Sequence, residues 1–397
     1  MGSKGWTRTK SRNLSRPGPW PENEVTRRNL EMKLGMFMMP LHPPHRPMHE
    51  TYDEDLAKVV HADKVGFDEV WIGEHFTAST EPIANAMTFL AAALPLTKNI
   101  MLGTGVVNLP NHNPVIVAAE AAQFDHMAKG RFLFGIGPGG LASDFEVFGN
   151  EDPEARGEKM LEAYEAIRYI WANDPPYRFQ GKHYNFHITE NIIPEMGIGF
   201  MPKPYQNPAP DIGLSAMSPF SGSVKQAARK GWSPISANFV PEYSVASHWK
   251  KFLEGCEEAG IAPDGNRWRV ARNIIIADSD SEAEDLAHDP MGSTHYYFDY
   301  LWKALCGANY SVAMKPDPKM ADEDVKLDDV ISQLVIYGSK ETVTEKLIAF
   351  RENVGPFGTL LQAAVDGSGK NGDAERRTMA AMSDFVMPRL AGALVDA

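Results

Sequence analysis

Residues 100–137 read IMLGTGVVNLPNHNPVIVAAEAAQFDHMAKGRFLFGIG and contain one complete strand–helix–strand unit. The apolar run 100–107 predicts a buried strand, the helical spacing of apolar residues over 115–127 predicts a helix, and 132–137 predicts the next strand. Two parallel strands need a crossover connection of this kind, which is usually a helix. The stretch therefore assigns the chain to the α/β class.

The same unit recurs on both sides of this stretch. The predicted strands are residues 33–39, 66–73, 100–107, 132–137, 212–216, 232–236, 269–277 and 357–365. Eight strand–helix repeats predict a parallel sheet that closes into a TIM (β/α)8 barrel. A doubly wound open sheet is the alternative, but it would normally need fewer units.

Three segments depart from this repeat. Residues 1–30 carry seven Lys or Arg against two Glu and predict a flexible N-terminal arm. An expression remnant, a subunit-wrapping arm and an organelle transit segment are alternatives, the last disfavoured because the stretch is not amphipathic. Residues 31–397 form the predicted barrel, with rim insertions near 173–210, which holds seven Pro, and near 281–334, which we expect to be irregular and partly helical. We expect both insertions to shape the substrate pocket.

Composition excludes several classes of function. The chain has 397 residues and a net charge of −13, whereas nucleic-acid binding needs a basic surface. Only Cys256 and Cys306 are present, so a disulfide framework and a cysteine-rich metal site are excluded, and we predict no metal. No apolar run is long enough to cross a membrane, and no signal peptide is visible. We therefore expect a cytoplasmic protein.

The residues that follow the first two strands are the first candidates for a site, because barrel enzymes carry their chemistry at the C-terminal ends of the strands. Met38 and Met39 suit a bulky apolar ligand or fill the core. Phe76 adds a further apolar side chain. His75 can donate a hydrogen bond to an anion, serve as a general base or be structural. Glu74 can set the tautomer of His75 or form a structural salt bridge.

Glycines and one amide follow the third and fourth strands. Gly105 permits a planar ligand to approach the backbone closely, although barrel packing explains it as well. Asn108 can donate to and accept from the edge of a heteroaromatic ring. Gly137 and Gly139 lack the spacing of a dinucleotide fingerprint, but they remove side chains from one wall of the mouth.

A serine-rich segment follows the fifth strand and leads directly into a helix. Its candidate residues are Ser218, Ser221, Gly222 and Ser223. Backbone amides at a helix start, with hydroxyl groups beside them, can bind a phosphate, whereas an ordinary serine N-cap is the alternative. Taken together, the strand ends predict sites for a phosphate, a planar ring and an apolar partner.

Five segments carry a resemblance to a known family. They are residues 67–76 (FDEVWIGEHF), 103–114 (GTGVVNLPNHNP), 120–137, 227–232 and 337–343. The chain from about residue 32 to 390 resembles the bacterial luciferase-like flavin-dependent monooxygenases, and its loop 137–140 resembles the limonene monooxygenase-like branch. Gly137-Pro138 stands where luciferase itself has Cys-Arg, which disfavours light emission, and Arg156-Gly157 stands where a related alkane hydroxylase has Arg followed by Tyr.

The resemblance implies a two-component enzyme, usually a homodimer, that uses FMN reduced by a separate NAD(P)H-dependent flavin reductase. With O2 as co-substrate it would form a C4a-peroxyflavin and oxygenate a small apolar or cyclic organic substrate. His75 would be catalytic, Met38, Met39 and Phe76 would contact substrate, and the Gly105–Val106 peptide bond would be cis. The residues implied to bind the cofactor are Glu74, Gly105, Val106, Asn108, Gly137, Gly139, Ser218, Ser221, Gly222 and Ser223.

Two alternatives remain open within this superfamily. A dehydrogenase or reductase that depends on the deazaflavin F420 would need cations for the acidic tail of that cofactor. Lys225 and Arg229 are the only cations near the serine segment, and we expect both on the outer face of a helix. A non-catalytic flavin-binding relative is the second alternative, which the apolar mouth and His75 disfavour.

Overall fold

Eight parallel strands close into a barrel in the computed structural model, which describes residues 32–39 and 41–395. The strands are β1 (Lys33–Met38), β2 (Glu69–Ile72), β3 (Met101–Thr104), β4 (Val107–Asn108), β5 (Phe132–Gly137), β6 (Tyr177–Gln180), β7 (Asn185–Ile188), β8 (Asp211–Ala216), β9 (Ser233–Ser236), β10 (Arg269–Ile276), β11 (Val335–Gly338) and β12 (Thr359–Ala363). The barrel order is β1-β2-β3-β5-β8-β9-β10-β12, and β12 pairs with β1. The predicted TIM barrel is confirmed. The predicted arm, residues 1–30, lies outside the described residues.

Helices surround this barrel. They are α1 (Met48–Val65), α2 (Ala86–Ala93), α3 (Pro114–Ala128), α4 (Ala142–Phe148), α5 (Pro153–Ala172), α6 (Gly222–Lys230), α7 (Glu242–Ala259), α8 (Asp280–Ala287), α9 (Ser293–Gly307), α10 (Leu327–Leu334), α11 (Lys340–Val354), α12 (Lys370–Ala381) and α13 (Met387–Val395). Asn85, Asn113 and Asp152 cap the first turns of α2, α3 and α5. No helix in the described ranges combines the length and apolarity that a membrane span requires.

The inside of the barrel is filled rather than hollow. Trp71 of β2 lies buried at its centre, where its indole N–H donates to Glu69. Glu69 also pairs with Arg269 of β10 at 2.7 Å. A Cβ atom on Gly213 would lie only 2.7 Å from the Trp71 ring, so glycine at that position makes room for the indole. Because side chains fill the interior, a ligand site must lie at the mouth, the end of the barrel where the strands terminate, above Trp71.

The 173–210 segment packs along α5 and against the start of β5. Its strands β6 and β7 form an antiparallel hairpin, which the sequence analysis did not predict. Gln206 donates to Asp125 near the end of α3 and to the carbonyl of Phe132, the first residue of β5. These contacts lie where the strands begin. They do not support our expectation that this segment shapes the substrate pocket.

The 281–334 segment, by contrast, covers the mouth. It contains most of α8 and all of α9 and α10, so it is more helical than we predicted. We call residues 293–314, which comprise α9 and the turn after it, the α9 cap. The hydroxyl group of Tyr296 donates to the carbonyl of His42 after β1, and the Tyr297 hydroxyl lies 2.9 Å from the side-chain nitrogen of Asn238 after β9. The cap thus bridges loops on different sides of the mouth.

Candidate functional site

His75 lies just after β2, with a carboxylate on each side of its ring. Its Nε2 is 3.2 Å from Oε2 of Glu81, and its Nδ1 is 3.4 Å from Oδ2 of Asp144. Burial by itself lowers the pKa of His75, but Glu81 and Asp144, with Glu74 further away, raise it above its ordinary value. The arrangement favours a charged imidazolium that can donate protons.

Asp144 of α4 also fixes the backbone beside His75. Its carboxylate accepts hydrogen bonds from the amide of Phe76 and from the amide and hydroxyl groups of Thr77. Burial raises the pKa of Asp144, but the hydrogen bonds from His75, Thr77 and Phe76 outweigh it and keep the pKa below its usual range. Asp144 therefore stays ionised and anchors the loop that carries His75.

Glu74 pairs with His112 rather than with the His75 ring. Its Oε1 accepts from the Asn108 amide at 2.9 Å and lies 2.8 Å from Nε2 of His112. The Asn108 side chain in turn donates to the Glu74 carbonyl. Of our two interpretations of Glu74, the geometry favours a structural salt bridge over control of the His75 tautomer. Its predicted role in cofactor binding, through Asn108, stays a prediction.

The ends of the third and fourth barrel strands meet at one wall of the mouth. The Gly105–Val106 peptide bond is cis, as the resemblance implied. A Cβ atom on Gly137 would lie 2.6 Å from the Val106 side chain, so these two predicted residues touch. Gly139 has a φ of +91°, a conformation that glycine adopts without penalty. Gly105, Val106, Gly137 and Gly139 thus form a wall almost free of side chains.

The serine segment surrounds the start of α6. The hydroxyl groups of Ser221 and Ser223 lie 2.7 Å apart, and Ser223 also donates to the Ser215 carbonyl. The Ser221 side chain, at the N-cap position, accepts no hydrogen bond from a backbone amide in the first turn of α6, which begins at Gly222. The ordinary cap that we considered is therefore not formed. Amide donors left without a cap, beside two hydroxyl groups, fit a phosphate.

Ser218 is held from two sides. Its hydroxyl group hydrogen-bonds to the Tyr310 hydroxyl of the α9 cap. Its carbonyl accepts from Nε2 of His248 at 2.8 Å, while Nδ1 of His248 lies 2.8 Å from the Ser236 hydroxyl. Burial lowers the pKa of His248 to about 4, so this ring is neutral near pH 7 and donates through Nε2.

The predicted apolar residues differ in their exposure to the mouth. Met38 is fully buried in the core. Met39 is half-buried, with its sulfur 3.9 Å from the Tyr297 hydroxyl of the α9 cap. Phe76 is also half-buried and packs against His112 and Phe148. Met39 and Phe76 therefore lie where a ligand could contact them, whereas Met38 supports the core beneath.

The sequence analysis missed a buried ionic network beside the mouth. His42, which follows β1, lies 2.7 Å from Asp366 and 3.0 Å from Asp55. Burial alone lowers the pKa of His42, but the two carboxylates raise it to about 9. His42, Glu54 and Asp55 also come close enough to hold a metal ion, yet Glu54 already pairs with Arg46 and Lys58. A metal is not needed to balance these charges.

Several residues that contact the predicted site could not be identified from the sequence. Asp144 and Glu81, on either side of His75, had no local signal, since neither belongs to a recognisable motif. Residues 295–300 contain one histidine and several aromatic side chains, a composition that fits either a pocket cap or ordinary helix packing. The structure places Tyr296 and Tyr297 at the mouth, and only Tyr297 lies fully buried there.

Comparison with known proteins agrees with this arrangement. Residues 32–356 match the family model described as luciferase-like monooxygenase. The chain is 30% identical over 370 residues, 91% of this chain and 93% of the relative, to 4-hydroxyprotoasukamycin monooxygenase of Streptomyces nodosus subsp. asukaensis. It is 28% identical over 334 residues, 82% of this chain and 79% of the relative, to limonene 1,2-monooxygenase of Rhodococcus erythropolis.

A solved structure with the same fold contains a flavin. It is the oxygenating constituent of 3,6-diketocamphane monooxygenase from Pseudomonas putida, a type II Baeyer–Villiger monooxygenase, in complex with FMN. The two chains superpose with a TM-score of 0.81 at 27% identity, over 90% of this chain and 98% of that chain. The family match over most of the barrel and these relatives show that the chain belongs to the luciferase-like, flavin-dependent monooxygenases.

Proposed function

We propose that this protein is the oxygenase of a two-component system, which uses reduced FMN and O2 to oxygenate a small apolar or cyclic organic substrate. One observation carries the proposal. His75, with a carboxylate on each side of its ring, and an uncapped helix start lined by serines, at α6, stand at the same mouth of one barrel. The His75 imidazolium can stabilise an anionic oxygen, and the amides and hydroxyl groups at the start of α6 can hold a phosphate.

The residues of this mouth fit FMN. Ser221, Gly222 and Ser223 would hold the phosphate through hydroxyl and amide donors. The wall around Gly105 and Gly137 would accept the flat ring, since it presents few side chains. Reduced FMN, when bound, supplies the electrons that activate O2.

His75 would act as the proton donor of the site. Its ring carries a proton on each nitrogen when charged, and the raised pKa keeps this form populated near neutral pH. An imidazolium stabilises a neighbouring anionic oxygen and can later deliver a proton to it. Of the roles that the resemblance implied for His75, the geometry favours the donor over the base.

The α9 cap would keep water away from the reaction. Tyr296, Tyr297 and Tyr310 tie the cap to loops after β1, β9 and β8. Met39 and Phe76 give the mouth an apolar lining, and exclusion of water protects reactive oxygen species from side reactions. The limonene and diketocamphane relatives are named for cyclic, mostly apolar compounds, which supports a substrate of that class.

The remaining parts of the proposal concern partners. A separate NAD(P)H-dependent flavin reductase would supply reduced FMN, and the description of the FMN-bound relative as an oxygenating constituent supports such a division of labour. Because that reductase would draw on cellular NAD(P)H, the proposal places the protein in the cytoplasm. A homodimer is part of the proposal on the strength of the family resemblance.

No structural observation favours the F420-dependent alternative. Lys225 lies 2.6 Å from Glu258 of α7, and Arg229 lies 3.7 Å from the same carboxylate. Both cations near the serine segment are thus already paired on the outer face of α6. The acidic tail of F420 would find no unpaired cation there among the described residues.

Stopped-flow spectroscopy tests the proposal. The protein is mixed anaerobically with reduced FMN and then with oxygen-saturated buffer. We expect a transient that absorbs in the near ultraviolet before oxidised flavin appears. Oxidation of FMN at the rate seen without protein would overturn the proposal, and the same experiment with reduced F420 serves as the control.

A further inference from the structure

Glu81, the third carboxylate near His75, was given no role of its own in the function proposed above. It stands on the loop between β2 and α2 and is 2% exposed. A buried carboxylate is costly unless it is paired. Within the described part of the chain its one ion-pair partner is His75, 3.2 Å from its Oε2, and that oxygen forms no hydrogen bond with any described residue. Glu81 and His75 therefore depend on each other.

Glu81 also faces the α9 cap. Burial raises the pKa of Tyr300 to about 12, and the negative charge of Glu81 beside it adds to the rise. Glu81 likewise contributes to the raised pKa values of Tyr296 and Tyr297, after burial. The carboxylate thus lies between the imidazole on one side and the tyrosines of the cap on the other.

The other two carboxylates near His75 have further partners, although Asp144 also contacts the His75 ring. Asp144 of α4 accepts from the amides of Phe76 and Thr77 and from the Thr77 hydroxyl. Glu74, next in sequence, pairs with His112. Asp144 thus shares its charge among several donors, His75 included, whereas Glu81 has the His75 ring as its one ion-pair partner among the described residues.

We infer that Glu81 is a positioning residue for the proposed reaction: it lies against Nε2 of the His75 ring, on the side opposite Asp144, and keeps that ring charged. The inference rests on the proposed function, because it assigns Glu81 an action through His75. Glu81 itself is not proposed to touch the reacting atoms.

The experiment compares Glu81→Gln with the unaltered full-length protein. NMR follows the titration of the His75 ring, whose signals are identified by their loss in His75→Gln. We expect a lower pKa of His75 in Glu81→Gln, because the neutral amide no longer stabilises the imidazolium. The lifetime of the near-ultraviolet transient from reduced FMN and O2 should then fall at lower pH than in the unaltered protein, since the imidazolium is lost earlier.

Three further variants make the test specific. Glu146→Gln makes the same change at an exposed residue of α4 and should alter neither readout. Glu81→Asp keeps the negative charge, so it should lower the pKa of His75 less than Glu81→Gln does. Tyr300→Phe removes a hydroxyl group beside Glu81 but not the carboxylate, so it should not lower the pKa of His75.

The outcomes separate the inference from the function on which it rests. An unchanged pKa of His75 in Glu81→Gln overturns the inference, as does an equal fall in Tyr300→Phe, which would show general loosening of the mouth. A lower pKa without any change in the pH dependence of the transient upholds the Glu81–His75 pair. That result would instead overturn the proposed role of His75.

Discussion

The side chains of His75 and Asp144 are 69 positions apart in sequence, yet Nδ1 of the first lies 3.4 Å from Oδ2 of the second. The contact joins the loop after β2 to α4, which follows β5. Side chains that follow two different barrel strands can therefore share a proton. Asp144 also holds the amides of Phe76 and Thr77. The orientation of the His75 ring is therefore fixed by the fold before any ligand binds.

Replacement of His75 tests its proposed role directly. We expect His75→Gln to fold and to shorten the lifetime of the near-ultraviolet transient by about 100- to 1,000-fold, the usual range for loss of one donor that stabilises an anionic oxygen. Stopped-flow absorbance measures this lifetime. The matched control is His45→Gln, which changes an exposed histidine in the loop after β1, at the same end of the barrel. The lifetime of its transient should equal that of the unaltered protein. Equal lifetimes in both variants would contradict the role.

The serine segment predicts a selective effect on flavin affinity. Ser223→Ala removes a hydroxyl group beside the start of α6, and a hydrogen bond to a charged group contributes roughly 1.5–3 kcal/mol. We expect Kd for FMN to rise about 10- to 100-fold, measured by fluorescence titration. Riboflavin, which lacks the phosphate, is the control ligand, and its Kd should not change. An equal loss for both flavins would argue against a phosphate site here.

Two glycines predict opposite effects on stability. A Cβ atom on Gly135 of β5 would lie 1.8 Å from the Thr104 carbonyl oxygen, so Gly135→Ala should lower the free energy of unfolding by more than about 3 kcal/mol. Gly157 in α5 has open space at that position, and Gly157→Ala should raise the free energy by about 0.5–1 kcal/mol. Urea denaturation measures both. Similar destabilisation by both changes would show that helix and barrel glycines are equally constrained.

The buried network at His42 predicts a dependence of stability on pH. The pKa of His42 is raised from 6.5 to about 9 in the folded protein, so its contribution is complete below pH 6.5 and is lost as the pH rises through about 9. The loss should amount to about 3 kcal/mol of the free energy of unfolding, measured by urea denaturation across this range. In His42→Gln that dependence should disappear. A dependence of the same size in both proteins would assign it to other groups.

The barrel could be predicted from the sequence because its strands carry a strong local signal. Buried parallel strands are short, nearly continuous apolar runs, and those of β5 and β10 stand between clear turn and helix signals. The cis bond at Gly105–Val106 was inferred from family resemblance instead. Local pattern and resemblance thus sufficed for the architecture and for the residues that follow each strand.

The partners of those residues could not be predicted in the same way. Whether Glu74 faces His75 or His112 depends on the path of a loop, which the spacing of residues does not determine. Glu81 and Asp144 owe their importance to contacts across the mouth, and the β6–β7 hairpin lies in a proline-rich stretch without a periodic signal. Long-range side-chain pairing is the information that the sequence did not reveal.

Trp71 determines the route by which molecules reach the site. Its buried indole closes the axis of the barrel, so the mouth has no rear exit through the strands. In the proposed reaction, flavin and substrate would therefore both enter from the side of the barrel that the α9 cap covers. The ligand that sits deeper would then have to bind first and leave last.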